Sequence, residues 1–284
     1  MSETTSLSVL DRWREIVNNV RDEYLSTTQN YPWIIGFSGG KDSTLVAHAV
    51  FEALMSMAPS QRTRPVHVVS NDTMVESPLV MAHLDEVTYL IDEAGRGLDL
   101  PITVARTKPD PDKTFWVLLI GKGYPSPNSS MRWCTDRLKI QPTSTYIKEN
   151  VSKHGAAIVV LGVRRSESIQ RMNTINKHEN VRGTQLTEHT SVPGALIYRP
   201  IVDLTTDDVW EILGSFQAPW GGTHQKLFQL YRDAEGGECP VVLSKEEAPG
   251  CGTKNSRFGC WTCTVVEKDK SLQGFIDSGK HAYK

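Results

Sequence analysis

Six consecutive residues, Ser38-Gly39-Gly40-Lys41-Asp42-Ser43, bring together what a phosphate group needs. Two glycines let the backbone approach an anion closely and take positive φ. An apolar run, Trp33 to Phe37, precedes them, and a helical pattern, Thr44 to Phe51, follows. Strand, glycine turn and helix start aim free backbone N–H groups and the positive end of a helix dipole at one point. Lys41 adds a charge, and Ser38 and Ser43 add hydroxyl donors. The spacing differs from the kinase-type P-loop, whose two glycines stand further apart and are followed by Lys-Ser/Thr. A second group is the cysteines. Four of the five, Cys239, Cys251, Cys260 and Cys263, crowd into one C-terminal stretch. In a reducing compartment such a cluster reads as metal or redox chemistry rather than a disulfide framework. Cys260 and Cys263 form a C-x-x-C pair, so two thiolates can converge on one metal or cluster. Four sulfurs suit either zinc or [4Fe–4S], and the unequal gaps favour iron–sulfur over a zinc ribbon. The fifth, Cys134, has Arg132, Arg137 and Lys139 close by in sequence and stands at a predicted helix start. Those features lower a thiol pKa, so Cys134 reads either as a reactive thiolate or as a buried, inert cysteine.

These residues need a scaffold, and the hydrophobic pattern supplies one. Apolar spacing predicts helices over 7–24, 44–58, 78–94, 135–151 and 205–213, with a helical stretch at 114–120. Short apolar runs predict strands at 33–37, 65–70, 101–105, 156–161 and 198–202. Alternating strands and helices imply an α/β fold, a parallel twisted sheet with helices on both faces. Ligands then sit at the carboxyl ends of the strands, where the loops at Ser38, Asp72 and Gly162 would lie. The pattern fades from about Ala218. The expected organisation is therefore a nucleotide domain over 1–217 and a small cysteine-rich, cluster-binding subdomain over 218–284. With 284 residues, 39% hydrophobic and 23% charged, the composition is that of an ordinary globular protein. A formal net charge of -2 excludes a wholly basic nucleic-acid binder, so any such contact must use local patches. Candidates are Arg132, Arg137 and Lys139, then Lys254 and Arg257, then Lys268 and Lys270. Neither a signal-peptide pattern nor a membrane-length apolar run is present, so a cytoplasmic location without membrane contact is the expectation.

The SGGKDS stretch resembles the PP-loop of the ATP pyrophosphatases, which grip the β,γ-pyrophosphate of ATP and cut between the α and β phosphates. Gly162-Val163-Arg164-Arg165-Ser166-Glu167-Ser168, with Arg171, resembles the G-x-R-x-x-E-S…R motif of phosphoadenylyl-sulfate reductase-like proteins. Arg199-Pro200-Ile201-Val202-Asp203-Leu204-Thr205 followed by Asp207-Asp208-Val209-Trp210 resembles their P-I-x-D-W/L-T…D-V-W segment. Guanidinium forks suit phosphate because they bind oxyanions bidentately. Trp210 itself reads as a core aromatic. Asp72-Thr73 stands where the family places a polar residue near the adenosine. Arg132-Trp133-Cys134-Thr135 resembles the reductases' R-x-C-C segment, with threonine in the second cysteine position.

The PP-loop joined to Cys-Pro…Cys-Gly…Gly-Cys-Trp-Thr-Cys-Thr is most similar to the DndC/SspD proteins of DNA phosphorothioation, an adenine nucleotide alpha hydrolase-like fold with an iron–sulfur cluster. The resemblance implies an ATP pyrophosphatase that adenylylates a DNA backbone phosphate for sulfur incorporation. It implies ATP, Mg²⁺ and a [4Fe–4S] cluster (zinc as alternative) held by Cys239, Cys251, Cys260 and Cys263. Ser38, Gly39, Gly40, Lys41, Asp42, Ser43, Asp72, Gly162, Arg164, Arg165 and Arg171 would bind the nucleotide, with Lys41, Asp42, Cys134 and Arg164 catalytic. It also implies partners: a cysteine desulfurase as sulfur donor, other DNA-modification subunits, and DNA as substrate. An adenylyl-sulfate-type reductase is the alternative, but such enzymes need a mobile C-terminal cysteine, and Ser278 to Lys284 contains none. A tRNA thiolase and a non-enzymatic nucleotide-sensing module are the remaining readings.

Overall fold

The structure, a computed structural model, describes residues 8–26, 30–167, 185–234, 258–266 and 269–279. Six strands form one sheet in the order β3-β2-β1-β4-β6-β5: β1 Trp33–Gly36, β2 Val66–Asn71, β3 Ile102–Thr107, β4 Ala157–Val160, β5 Leu186–Glu188 and β6 Ala195–Tyr198. All pairs are parallel except β5 with β6. The central strands β1 and β4 are buried along their whole length, as unbroken apolar runs covered on both faces must be.

The helices are α1 Val9–Leu25, α2 Lys41–Ser56, α3 Pro78–Gly97, α4 Trp133–Thr135, α5 Gln141–His154, α6 Thr206–Ser215, α7 Gln225–Ala234 and α8 Lys270–Asp277. On one face α2 lies against the sheet, buried on nearly every side, with α1 and α6 packed outside it. Trp13, Leu45, Val50, Phe51 and Ile212 fill this larger core. On the other face α5 covers Ile34, Val159 and Ile197 through Ile147. The α/β architecture with helices on both faces is thus the one the strand–helix alternation predicts.

Two expectations need correction. The strand predicted at 198–202 is Ala195–Tyr198, because Arg199-Pro200 leads out of the sheet and proline has no N–H for a ladder. The helix predicted at 135–151 is three pieces: α4, a π-helical turn at Asp136–Ile140, and α5 with Pro142 in its first turn. Proline cannot sit in a helix interior but fits a first turn, so the widened turn lets the chain restart. Beyond Ala218 the chain still forms α7 and α8. Ala218, Trp220 and Leu227 belong to the larger core, so packing does not break at 217. A satellite cluster, Ala234 with Phe258 and Phe275, ties α7 and α8 to Leu79 and Val80 of α3.

A buried polar chain anchors α2 from behind. Trp13 Nε1 donates to Glu52 at 2.8 Å, Glu52 meets His48 Nε2 at 2.9 Å, and His48 Nδ1 lies 3.2 Å from His224 Nε2. Burial, then the neighbouring His48 and His83, push the His224 pKa down from 6.5 to about 4. The unfolded chain therefore takes up a proton below about pH 6.5 that the folded chain refuses until about pH 4. Stability is full above pH 6.5 and falls by roughly 3 kcal/mol as pH drops to 4. Urea midpoints measured between pH 7 and 4 should show this fall, and His224→Gln should remove most of it.

Candidate functional site

The strand order reverses between β1 and β4, and the crevice outside their carboxyl ends is where an open α/β sheet binds ligands. Ser38–Ser43 leaves β1 there and Gly162–Glu167 leaves β4. Gly39 has φ +75°, the left-handed region that suits glycine. The loop is tied to itself: the Ser38 and Ser43 hydroxyls lie 3.1 Å apart, Ser43 Oγ donates to the Gly40 carbonyl, and the Gly40 N–H donates to Ser38 Oγ. Gly162 presses on the first turn of α2 so closely that a Cβ there would stand 2.7 Å from the Asp42 carbonyl carbon and oxygen. Only glycine permits this, and the contact aligns the two loops. Gly162→Ala should therefore push α2 out of register. The expected result is a loss of roughly 1–3 kcal/mol in thermal unfolding and weakened nucleotide binding by calorimetry.

The charged side chains predicted from sequence converge. Lys41, Asp42 and Arg164 are all buried. Lys41 Nζ lies 2.7 Å from one Asp42 oxygen and Arg164 Nε 2.6 Å from the other. Arg164 also donates to Ser166 Oγ at 2.9 Å and to Thr206 Oγ1 at 3.2 Å, so both ends of its guanidinium are fixed. Two buried cations meet one carboxylate beside a helix N-terminus, and guanidinium, ammonium and backbone N–H donors gathered at one point suit a phosphate. Arg165 pairs with Asp203 at 2.8 Å. Arg171 lies outside the described residues.

Two residues of this site are not apparent in the sequence. Tyr231 of α7 reaches over the loop: its hydroxyl accepts from the Lys41 N–H at 3.2 Å, and the Lys41 ammonium lies 5.8 Å from its ring centre. Trp210 and Phe258 pack edge-on against its ring, and Phe228 packs on Trp210. Trp210 is thus the packing aromatic expected. His83 of α3 lies against Gly39. Burial holds its pKa below the usual histidine value, and a hydrogen bond to the Gly39 backbone opposes that shift. Tyr231 and His83 sit at least 40 residues from the loop in sequence with no motif of their own.

Asp72 ends β2. Its carboxylate accepts from the Met74 N–H at 2.9 Å and pairs with Lys108 at 3.3 Å. The loop that follows carries the cysteine segment. The Trp261 N–H donates to the Val75 carbonyl at 3.1 Å, Glu76 and Cys260 form an antiparallel bridge, and Thr73 Oγ1 is 4.0 Å from Cys260 Sγ. One short loop therefore joins Asp72 to the C-x-x-C turn, which the Cys263 N–H closes by donating to the Cys260 carbonyl at 3.0 Å. Cys134, Cys260 and Cys263 line one cavity of about 80 Å³ together with Val75, Phe115 and Leu138. Sequence distance had set Cys134 apart, and the fold brings it to the other two. Cys239 and Cys251 lie outside the described residues. No trio of His, Cys, Asp or Glu side chains among the described residues is gathered closely enough to hold a metal ion.

The profile of the phosphoadenosine phosphosulfate reductase domain family matches residues 32–266. The chain belongs to that family. The match runs from β1 through the C-x-x-C turn, so it takes in both loops and the cysteine cavity. An uncharacterised protein of Methanocaldococcus jannaschii is 24% identical over 221 residues, 78% of this chain. The chain spans 39% of that relative's length. Among solved structures, the NMN synthetase of Francisella tularensis is 12% identical, with 98% of this chain and 96% of that one covered and a TM-score of 0.45. A U34-tRNA thiolase of Methanococcus maripaludis with its [4Fe–4S] cluster is 13% identical, with 72% and 63% covered and a TM-score of 0.44. A phosphoadenylyl-sulfate reductase of Candida auris is 13% identical, with 74% and 87% covered and a TM-score of 0.41. No helix among the described residues is long and apolar enough to cross a membrane.

Proposed function

We propose that this protein is an ATP pyrophosphatase that works in sulfur transfer to DNA. The observation that carries the reading is the convergence of Lys41 and Arg164 on the first turn of α2, beside the loop formed by Ser38 to Ser43. A cradle that holds the β and γ phosphates leaves the α-phosphorus open to attack. A non-bridging oxygen of a DNA phosphate attacks it, the bond to the bridging α,β oxygen breaks, and pyrophosphate leaves. The backbone phosphate then carries AMP as a leaving group. Hydrosulfide attacking the backbone phosphorus expels AMP together with the transferred oxygen. Lys41 and Arg164 bind and orient the pyrophosphate, Asp42 holds both cations in place, and Asp72 stands at the next strand end for the nucleoside. Tyr231 occupies the Lys41 N–H until a phosphate oxygen takes over that bond. Mg²⁺ offsets the remaining phosphate charge.

Cys260 and Cys263, with Cys239 and Cys251, would hold the [4Fe–4S] cluster, and the two described thiols suit that role: half-buried on a closed turn, they face an apolar cavity. When bound, the cluster would supply sulfide-level sulfur chemistry. Cys134 shares that cavity and is the thiol placed to hand sulfur on. A cysteine desulfurase is the donor: it passes sulfane sulfur to Cys134 as a persulfide, and a dithiol reductant supplies the two electrons that release it as hydrosulfide, leaving the Cys134 thiol and the oxidised disulfide of the reductant. Other DNA-modification subunits supply most of the DNA affinity. Anaerobic incubation with ATP, DNA, the desulfurase, labelled cysteine and dithiothreitol tests the reading. Labelled sulfur in the DNA backbone with matching pyrophosphate release is the expected outcome. Labelled sulfur in tRNA only would favour the thiolase alternative.

A further inference from the structure

A second depression, a groove of about 680 Å³, opens on the α5 side of the sheet. Arg106 and Lys108 at the end of β3, Lys113 beyond it, Arg137 of the π-helical turn and Lys148 of α5 all line it. Only two carboxylates, Asp110 and Glu149, line it with them, and Asp110 pairs with Lys113 at 2.6 Å. In a chain of net charge -2 this is a local concentration of positive charge. Asp85, Asp72 and Asp136, which pair with Arg106, Lys108 and Arg137, stand outside the lining. Exposed pairs of this kind are worth little, so the cations can exchange a carboxylate for a phosphate at low cost. Hydroxyls and an amide, Ser144, Thr145, Ser191 and Gln141, fill the spaces between the charges. Cationic and neutral donors along one cleft are what a sugar–phosphate backbone binds.

The groove's position connects it to the chemistry. The π-helical turn Asp136–Ile140 is the wall between the two depressions: Arg137 and Ile140 face the groove, while Leu138 and Lys139 face the cysteine cavity. We propose that this groove binds the phosphates of the nucleic-acid strand that accepts sulfur, holding it beside Cys134. The proposal rests on the reading of the protein as a sulfur-transfer enzyme acting on DNA. Lys113 and Lys148 form its outer part, away from the nucleotide site.

Fluorescence anisotropy of the full chain with a labelled 20-nucleotide single strand, followed across a salt series starting near 50 mM, tests it. The control is Arg14→Ala/Arg21→Ala on α1, which changes net charge equally on the opposite face. Lys113→Ala/Lys148→Ala should weaken binding several-fold and lower the slope of log K against log salt by about 1.4, two phosphate contacts at roughly 0.7 each. The control should leave the slope unchanged. Pyrophosphate release from ATP is read on the same proteins with the strand at a concentration that saturates each of them, and should then be equal in all three. An unchanged slope in the groove variant, or equal losses in groove variant and control, overturns the groove while leaving the ATP chemistry intact. Loss of pyrophosphate release in the wild type counts against the sulfur-transfer reading, whatever the anisotropy shows.

Discussion

Asp42→Asn is expected to be the most damaging single change in the nucleotide site. The carboxylate is buried and holds Lys41 at 2.7 Å and Arg164 at 2.6 Å. An amide cannot offset two cations, and breaking a buried ion pair costs about 3–5 kcal/mol because the partner charges stay buried. For a chain of this size that lowers the melting temperature by on the order of 10 °C. Turnover should fall on the order of a hundredfold, the loss that follows when a catalytic cation is misplaced by about an ångström. Arg164→Lys separates the two effects. It keeps the charge near Asp42 but loses the fork that also reaches Ser166 and Thr206. Its melting temperature should stay close to that of the wild type while pyrophosphate release drops. Equal stability in Asp42→Asn and the wild type would show that the buried triad does not hold the loop.

The second large effect is expected at the cysteines. Cys263→Ser should bring iron content from near four atoms per chain to near zero after anaerobic purification, and should also loosen the turn at 260–263. Ligand binding and local folding are coupled in such sites. Cys134→Ser should keep the iron and lose sulfur transfer, because Cys134 lines the cavity from α4, outside the cysteine-rich segment. Retained iron in Cys263→Ser, or zinc at one equivalent in the wild type, would overturn the iron–sulfur reading. Loss of iron in Cys134→Ser would make that cysteine a ligand instead.

Much of this was legible before any coordinates. Trp33–Gly36 and Ala157–Val160 are apolar throughout, and only strands buried on both faces read that way, so the centre of the sheet and the loops at its carboxyl ends followed directly. The loop from Ser38 to Ser43 stands out in the sequence because its glycines, lysine and serines are consecutive. What the sequence did not reveal depends on distant contacts. Tyr231 serves the loop from α7, a polar ten-residue helix whose neighbours carry glycine and proline. β5 is three residues long and leaves no periodicity to detect. Cys134 joins Cys260 only because the β2–α3 loop pairs with the C-x-x-C turn, a contact between residues more than 180 positions apart. The cations of the α5 groove come from four segments and form no run, so a search for basic stretches finds only Arg137 among them.

The central claim is that the loop from Ser38 to Ser43 cleaves ATP between its α and β phosphates. Separation of the nucleotide products by anion-exchange chromatography, with Mg²⁺ and an acceptor present, tests it most directly. AMP and pyrophosphate in equal amounts are the predicted products, and ADP with inorganic phosphate would contradict the account.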